Sequence, residues 1–298
     1  MRTLFIFAIL FISAFAHHHH HHHLRHDFMG RFGKWKNFMR PKERKSIGHS
    51  YAEIANYVNG LKTTWKATAY ERNYTPLLGA ILDGGVTLPQ KKFENTNVNL
   101  PDSFDPRDEY PQCESIKEIR DQANCGSCWA FGAAEAMSDR ICIQSGQKLQ
   151  TRVSAQNILT CCSSCGFGCD GGYPQNAWRY WASTGVCTGG LYGDTTTCQP
   201  YFLPECDHHV EGSHGPCPDT VDTPRCKRDC EDGNKKQYSD EMTYGQNAYS
   251  VSGETNIMQE LYEHGPVEAS FTVYEDSLTN LEFINISLDL PSVDMLLK

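Results

Sequence analysis

Gln122-Ala123-Asn124-Cys125-Gly126-Ser127-Cys128-Trp129 is the stretch on which the reading of this chain turns. Just beyond it Ala130, Ala134, Met137 and Ile141 recur at i, i+4, i+7 and i+11, the apolar stripe of a helix, and Ser145-Gly146 supplies a stop. Cys128 is therefore expected at or near a helix N-terminus, where free N–H groups and the helix dipole favour thiolate over thiol. Only the thiolate is a nucleophile, so the position suits a catalytic cysteine. Gln122 lies six residues upstream, where its side-chain amide can loop back beside the Cys128 N–H and face a developing oxyanion. The competing reading pairs Cys125 with Cys128 as a redox CxxC.

The 298 residues suffice for one large domain or two medium ones, and 39% hydrophobic content is enough to bury a core. A formal charge of −9 argues against nucleic acid or an anionic membrane as the partner. Met1-Arg2-Thr3, the apolar residues 4–12 and Ala14-Phe15-Ala16 have the three-part form of a signal peptide, so residues 1–16 are read as one. No later stretch is apolar enough to span a bilayer, so a soluble product of the secretory pathway is expected, lysosomal or extracellular, the gut lumen included. A histidine-rich tract, 17–26, follows and is left out of fold reasoning. All fourteen cysteines fall between Cys113 and Cys230, which marks a boundary against the cysteine-free stretch before them. In an oxidising lumen they are expected as disulfides rather than zinc ligands, although Cys161-Cys162-x-x-Cys165 and Cys125-x-x-Cys128 are close pairs; no metal and no cofactor is expected. Residues 47–65 read as an amphipathic helix with Tyr51, Ile54, Tyr57, Val58 and Leu61 on one face. The glycine-, proline- and cysteine-rich stretch 161–230 reads as a loop array held by disulfides.

The Cys-Gly-Ser-Cys-Trp run is the local signature of papain-like nucleophiles. From about Asn59 to Thr279 the chain resembles cathepsin B-like cysteine proteases of the papain family. Thr63-Thr64-Trp65-Lys66-Ala67 resembles the family's pro-segment, which lies backwards through the cleft and blocks it, and Leu100-Pro101-Asp102-Ser103-Phe104-Asp105 resembles the start of the mature enzyme. The resemblance thus implies an inhibitory propeptide over 27–99, the chain's own partner, and a peptidase domain over 100–279 acting on peptides and proteins. It makes Cys128 the nucleophile and Gln122 the oxyanion donor. Cys169-Asp170-Gly171-Gly172-Tyr173-Pro174 resembles the strip where substrate backbone binds, a role for Gly171, Gly172, Tyr173 and Pro174. In Cys206-Asp207-His208-His209 the two histidines would hold a substrate's C-terminal carboxylate, with His208 paired to Asp121. The implied disulfides are Cys113–Cys142, Cys125–Cys169, Cys161–Cys226, Cys162–Cys165, Cys198–Cys230 and Cys206–Cys217, leaving Cys128 free and Cys187 as a buried leftover. His214 stands where the family commonly has an arginine that pins this loop, which implies a latch that weakens above about pH 6.5.

The implied fold is α+β, a papain-like pair of domains: a helical domain carrying Cys128 and a second domain built on a β-barrel. The helical domain is expected complete here and the barrel largely missing. Only His208, His209, His214 and His264 follow Cys128, and His264 lies in Tyr262-Glu263-His264-Gly265-Pro266-Val267, which resembles a family turn before a strand over 268–274. The Gly-His-Ala and Asn-Ser-Trp contexts of the family's catalytic base and its orienting asparagine do not occur, and residues 280–298 resemble nothing in the family. A chain inactive as written is therefore expected, with a non-catalytic secreted decoy or a pseudogene product as the alternative.

Overall fold

The computed structural model describes residues 51–60, 67, 78–93, 98–208, 212–219, 221–231 and 235–272. The signal-peptide and histidine-rich readings, most of the 27–99 segment, His209 and the 280–298 stretch lie outside them. In chain order the helices are α1 (Tyr51–Gly60), the single turn α2 (Pro106–Glu109), α3 (Cys128–Gln144), α4 (Ala155–Cys161), α5 (Pro174–Ser183) and α6 (Glu254–His264). Short 3-10 turns occupy Glu114–Lys117, Gly168–Asp170 and Tyr238–Glu241. The only sheet among the described residues pairs β1 (Val186–Cys187) with β2 (Met242–Thr243), antiparallel, Val186 opposite Thr243. These elements are the helical domain of a papain-like fold, and no barrel is among them.

Helix α3 organises the rest because it is buried on several sides at once. Trp129, Ala130, Phe131, Ala133, Ala134, Ala136 and Met137 are all buried, and α4, α5 and α6 pack around them. Alanine makes such a helix possible, combining the best helix propensity with a side chain small enough for close packing. The helix ends where Gly146, at φ 64°, turns left-handed and the N–H of Gln147 caps the Cys142 carbonyl. The core it anchors includes Val153, Ile158, Leu159, Ala177, Trp181, Val186 and Tyr201. Fully burying a side chain of the size of Met137 or Ile158 contributes roughly 1.5–3 kcal/mol.

Three sequence expectations need correction. The stretch 161–230 is not all loop: α5 forms within it, with Pro174 at its first turn and Ala177 and Trp181, one turn apart, facing the core. Among the side chains of α1 that are described, Ala55 is buried while Tyr57 is 68% exposed; two positions on a helix lie about 200° apart, so the face that buries one exposes the other. No strand is present over 268–272, which have no neighbouring strand among the described residues to pair with.

Six disulfides staple the loops: Cys113–Cys142, Cys125–Cys169, Cys161–Cys226, Cys162–Cys165, Cys198–Cys230 and Cys206–Cys217, the same pairs the resemblance implies. Each closes a loop that the unfolded chain would otherwise sample freely, worth typically 2–4 kcal/mol. Cys128 and Cys187 stay free, and burial pushes the Cys187 thiol up to about 12, so it remains protonated and inert.

Candidate active site

Cys128 is the first residue of α3, and the loop before it is held from three sides. The Cys125–Cys169 disulfide ties it to the glycine strip, and the Gly126 N–H donates to the Cys169 carbonyl at 2.9 Å. A Cβ on Gly126 would lie 2.6 Å from that carbonyl oxygen, so the approach needs glycine. Asp121 accepts the Ala123 N–H at 2.7 Å and so supports Ala123 at φ 49°, a left-handed conformation that costs a non-glycine residue energy. The Tyr201 hydroxyl bridges the loop's two ends, donating to the Gln122 carbonyl at 2.9 Å and sharing a hydrogen bond with Ser127 Oγ at 3.0 Å. Sequence reasoning missed Tyr201. Its buried hydroxyl, which needs a partner, becomes visible only once it packs beside the loop.

The glycine strip lies beside the thiol. Gly172 is flat against the Trp129 indole, which a Cβ there would meet at 2.5 Å. Gly171 takes φ 109°, open to glycine and rarely to other residues. Tyr173 donates its N–H to the Cys165 carbonyl at 2.7 Å, and Pro174 starts α5. The chain's own residues 79–81 occupy this strip. The Gly172 N–H donates to the Gly79 carbonyl and the Ile81 N–H to the Gly172 carbonyl, both at 2.8 Å, and Ala80 forms a parallel bridge with Gly172.

This segment also changes the thiol. Burial pushes Cys128 above its ordinary 9.0; N–H groups of Gly79, Ala80 and Trp129 oppose the shift, and Glu268 adds to it. The helix N-terminus thus acts on Cys128 as expected, through the Trp129 N–H, but desolvation under the segment outweighs it. Glu268 is a second residue sequence reasoning missed; a carboxyl in the apolar run Pro266-Val267-Glu268-Ala269 was the available signal. Its Oε2 accepts the Trp178 indole N–H at 2.7 Å, while Oε1 is sealed from solvent without a partner. Burial pushes it up to about 8, against donors from Trp178 and the Ala133 backbone.

The described imidazoles are held elsewhere. His208 Nε2 lies 2.7 Å from Asp121 Oδ1, and Asp121 Oδ2 accepts the Cys206 N–H at 3.1 Å, so one carboxylate ties loop 206–217 to the Gln122 turn. Burial pushes Asp121 up, but the Ala123 N–H, the His208 imidazole and the Cys206 N–H outweigh it and hold the carboxyl below 3.8. His214 lies 3.7 Å from Glu205, both half-exposed, and donates its N–H to Asp207. Cys206, His208 and Cys217 bring their ligand atoms within 4.8 Å of one another, but the two sulfurs are bonded to each other and offer no thiolate. His264 closes α6 beside Glu260.

A profile described as papain family cysteine protease matches residues 100–282. The chain belongs to that family. It is 44% identical over 243 residues to cathepsin B-like cysteine proteinase 6 of Caenorhabditis elegans, covering 76% of this chain and 64% of that protein. It is 46% identical over 192 residues to the cathepsin B-like cysteine proteinase of Schistosoma japonicum, covering 64% of this chain and 56% of that protein. The chain thus spans less than two thirds of the length of both curated relatives. Among solved structures, proCathepsin B S9 from Trypanosoma congolense aligns with a TM-score of 0.60 and 34% identity, over 75% of this chain and 72% of that one. This papain-family chain is therefore of the cathepsin B-like kind, and no helix among its described residues is long and apolar enough to cross a membrane.

Proposed function

We propose that the chain is the nucleophile-bearing part of a cathepsin B-like cysteine peptidase, made in the secretory pathway for a lysosomal or extracellular site and held closed by its own segment 78–82. The observation that carries this reading is an extended segment, residues 79–81, hydrogen-bonded to Gly172 with N–H groups of Gly79 and Ala80 on the Cys128 sulfur. A peptide placed there presents a carbonyl to the thiol. Cys128 is the nucleophile of this reading, with its own N–H and the Gln122 amide as donors to the oxyanion. Gly171 and Gly172 bring the substrate backbone close, Tyr173 and Pro174 border the strip, and His208 with His209 receives a C-terminal carboxylate. The parallel bridge at Ala80 fits an inhibitory segment running opposite to a substrate, so that no scissile bond is presented.

Turnover also needs a base to take the thiol proton and return it to the leaving amine. Among the described residues His208, His214 and His264 stand against Asp121, Glu205 and Glu260 instead, at 2.7, 3.7 and 3.5 Å, so the chain alone is proposed to cleave peptides at a negligible rate. The test uses Gly79→Val, whose Cβ would lie 2.1 Å from the Gly126 carbonyl oxygen and so lifts the segment off the thiol. A peptidyl electrophile is expected to label Cys128 in this variant and leave the parent chain unlabelled, with no amide hydrolysis in either. Absence of labelling in a folded Gly79→Val chain sinks the peptide-site reading; hydrolysis by it sinks the claim of negligible turnover.

A further inference from the structure

A second contact of the same segment uses none of the groups around Cys128. Residues 89–91 lie beside Ser250 in a single parallel bridge: the Ser250 N–H donates to the Pro89 carbonyl and the Lys91 N–H to the Ser250 carbonyl, both at 2.9 Å. Lys91 Nζ lies 2.7 Å from Glu260 Oε2, with the lysine side chain 23% exposed and the glutamate fully buried. The rings of Tyr249 and Phe93 stand 4.9 and 5.0 Å from the ammonium. The other oxygen of Glu260 is already engaged, accepting from Arg140 Nη2 at 2.8 Å and the Tyr249 hydroxyl at 2.6 Å. Arg140 cannot swing across to Oε2, because it also donates to the Pro266 and Gly265 carbonyls. One oxygen of a buried carboxylate is thus left for a primary ammonium carried on an extended segment, beside an aromatic face that favours cations.

His264 is placed to compete. One turn after Glu260, its Nδ1 lies 3.5 Å from Oε2 and 3.3 Å from Lys91 Nζ. Both ring nitrogens stand near the ammonium, Nε2 at 3.4 Å, and the neutral ring tolerates that cation. Protonated, it puts a second cation against Lys91 and offers Oε2 a replacement. We propose that Glu260, Tyr249 and Arg140 form a lysine-docking site that anchors residues 89–91, and that protonated His264 displaces Lys91 from it.

The charged groups facing His264 are Glu260 and Glu263 from its own helix, Lys91 from the segment and Arg140 from α3. Burial holds His264 below 6.5; Glu260 opposes, Lys91 and Arg140 reinforce, and Glu263 opposes. Undocking Lys91 removes one repulsion and some burial, so His264 is more basic in the undocked state. Docking is therefore full above the undocked value and weakens as the pH falls towards the docked one, tenfold for each unit between them. The site is independent of peptide turnover, and its test needs none.

The test follows exchange of the Lys91 amide hydrogen in the full chain, corrected for intrinsic exchange, with α3 amides as the folding control. Between about pH 7.5 and about pH 5, protection is expected to fall roughly tenfold in the parent. It is expected to stay high in His264→Asn, to be low and flat in Lys91→Met, and to fall as in the parent in Lys91→Arg. Parent-like loss in His264→Asn overturns the displacement, and parent-like protection in Lys91→Met overturns the site. Should His264→Asn lose α3 protection, the contrast between the methionine and arginine variants at residue 91 decides instead.

Discussion

Glu260 and Glu268 stand eight residues apart, each with carboxyl oxygen sealed from solvent, and they titrate in opposite directions. Burial pushes Glu260 up, but Lys91, Tyr249 and Arg140 more than compensate and hold it below 4.5. Glu268 meets the Trp178 indole and a backbone N–H, neutral donors both, and rises to about 8. Burial alone therefore does not decide the charge of an interior carboxyl; the formal charge of its partners does. The contrast also separates their roles. Glu260 is a fixed anion held between two cations, whereas Glu268 is a largely protonated neighbour that raises the Cys128 thiol only once it ionises.

The harshest way to break this contrast is to strip Glu260 of its built-in cation. Arg140→Met is expected to cost about 3–5 kcal/mol, because it leaves a buried charge half-compensated. Urea unfolding near neutral pH measures it, and a loss below about 1 kcal/mol would remove Arg140 as the partner that matters. The pH signs also differ. Glu260, with a lowered value, contributes stability that is present above 4.5 and lost as the pH falls through its folded value.

Glu268, with a raised value, contributes stability that is full below 4.5 and lost as the pH rises through about 8. Glu268→Gln should abolish that alkaline decline, so its advantage over the parent should grow from about pH 5 to about pH 8. Parallel stability curves for the two chains would show that Glu268 is not forced neutral. The smallest effect is expected for Trp178→Phe, which removes one neutral donor at about 1–2 kcal/mol. It should also move the Glu268 transition further upward, and an unmoved transition would mean that the indole does not support the carboxylate.

How much of this was legible beforehand depended on distance along the chain. The start of α3 at Cys128 was readable because a helix announces itself through neighbours three and four positions away. The stop at Ser145-Gly146 was readable for the same reason. Helix α5 was hidden: between glycines and cysteines its Ala177 and Trp181 were too sparse a stripe to outweigh the loop-like composition. Tyr201, Glu260 and Glu268 gave no local sign of their roles, since each is defined by groups brought from far along the chain.

By itself, then, the sequence determined the family and the helix that begins at Cys128, both encoded in contiguous residues. Only the tertiary structure decided that Gly79 and Ala80 lie on the Cys128 sulfur, that Lys91 fills the vacant oxygen of Glu260, and that two similar glutamates differ in charge. The physical reason is that desolvation and Coulomb interaction depend on separation in space, which folding sets and the order of residues does not.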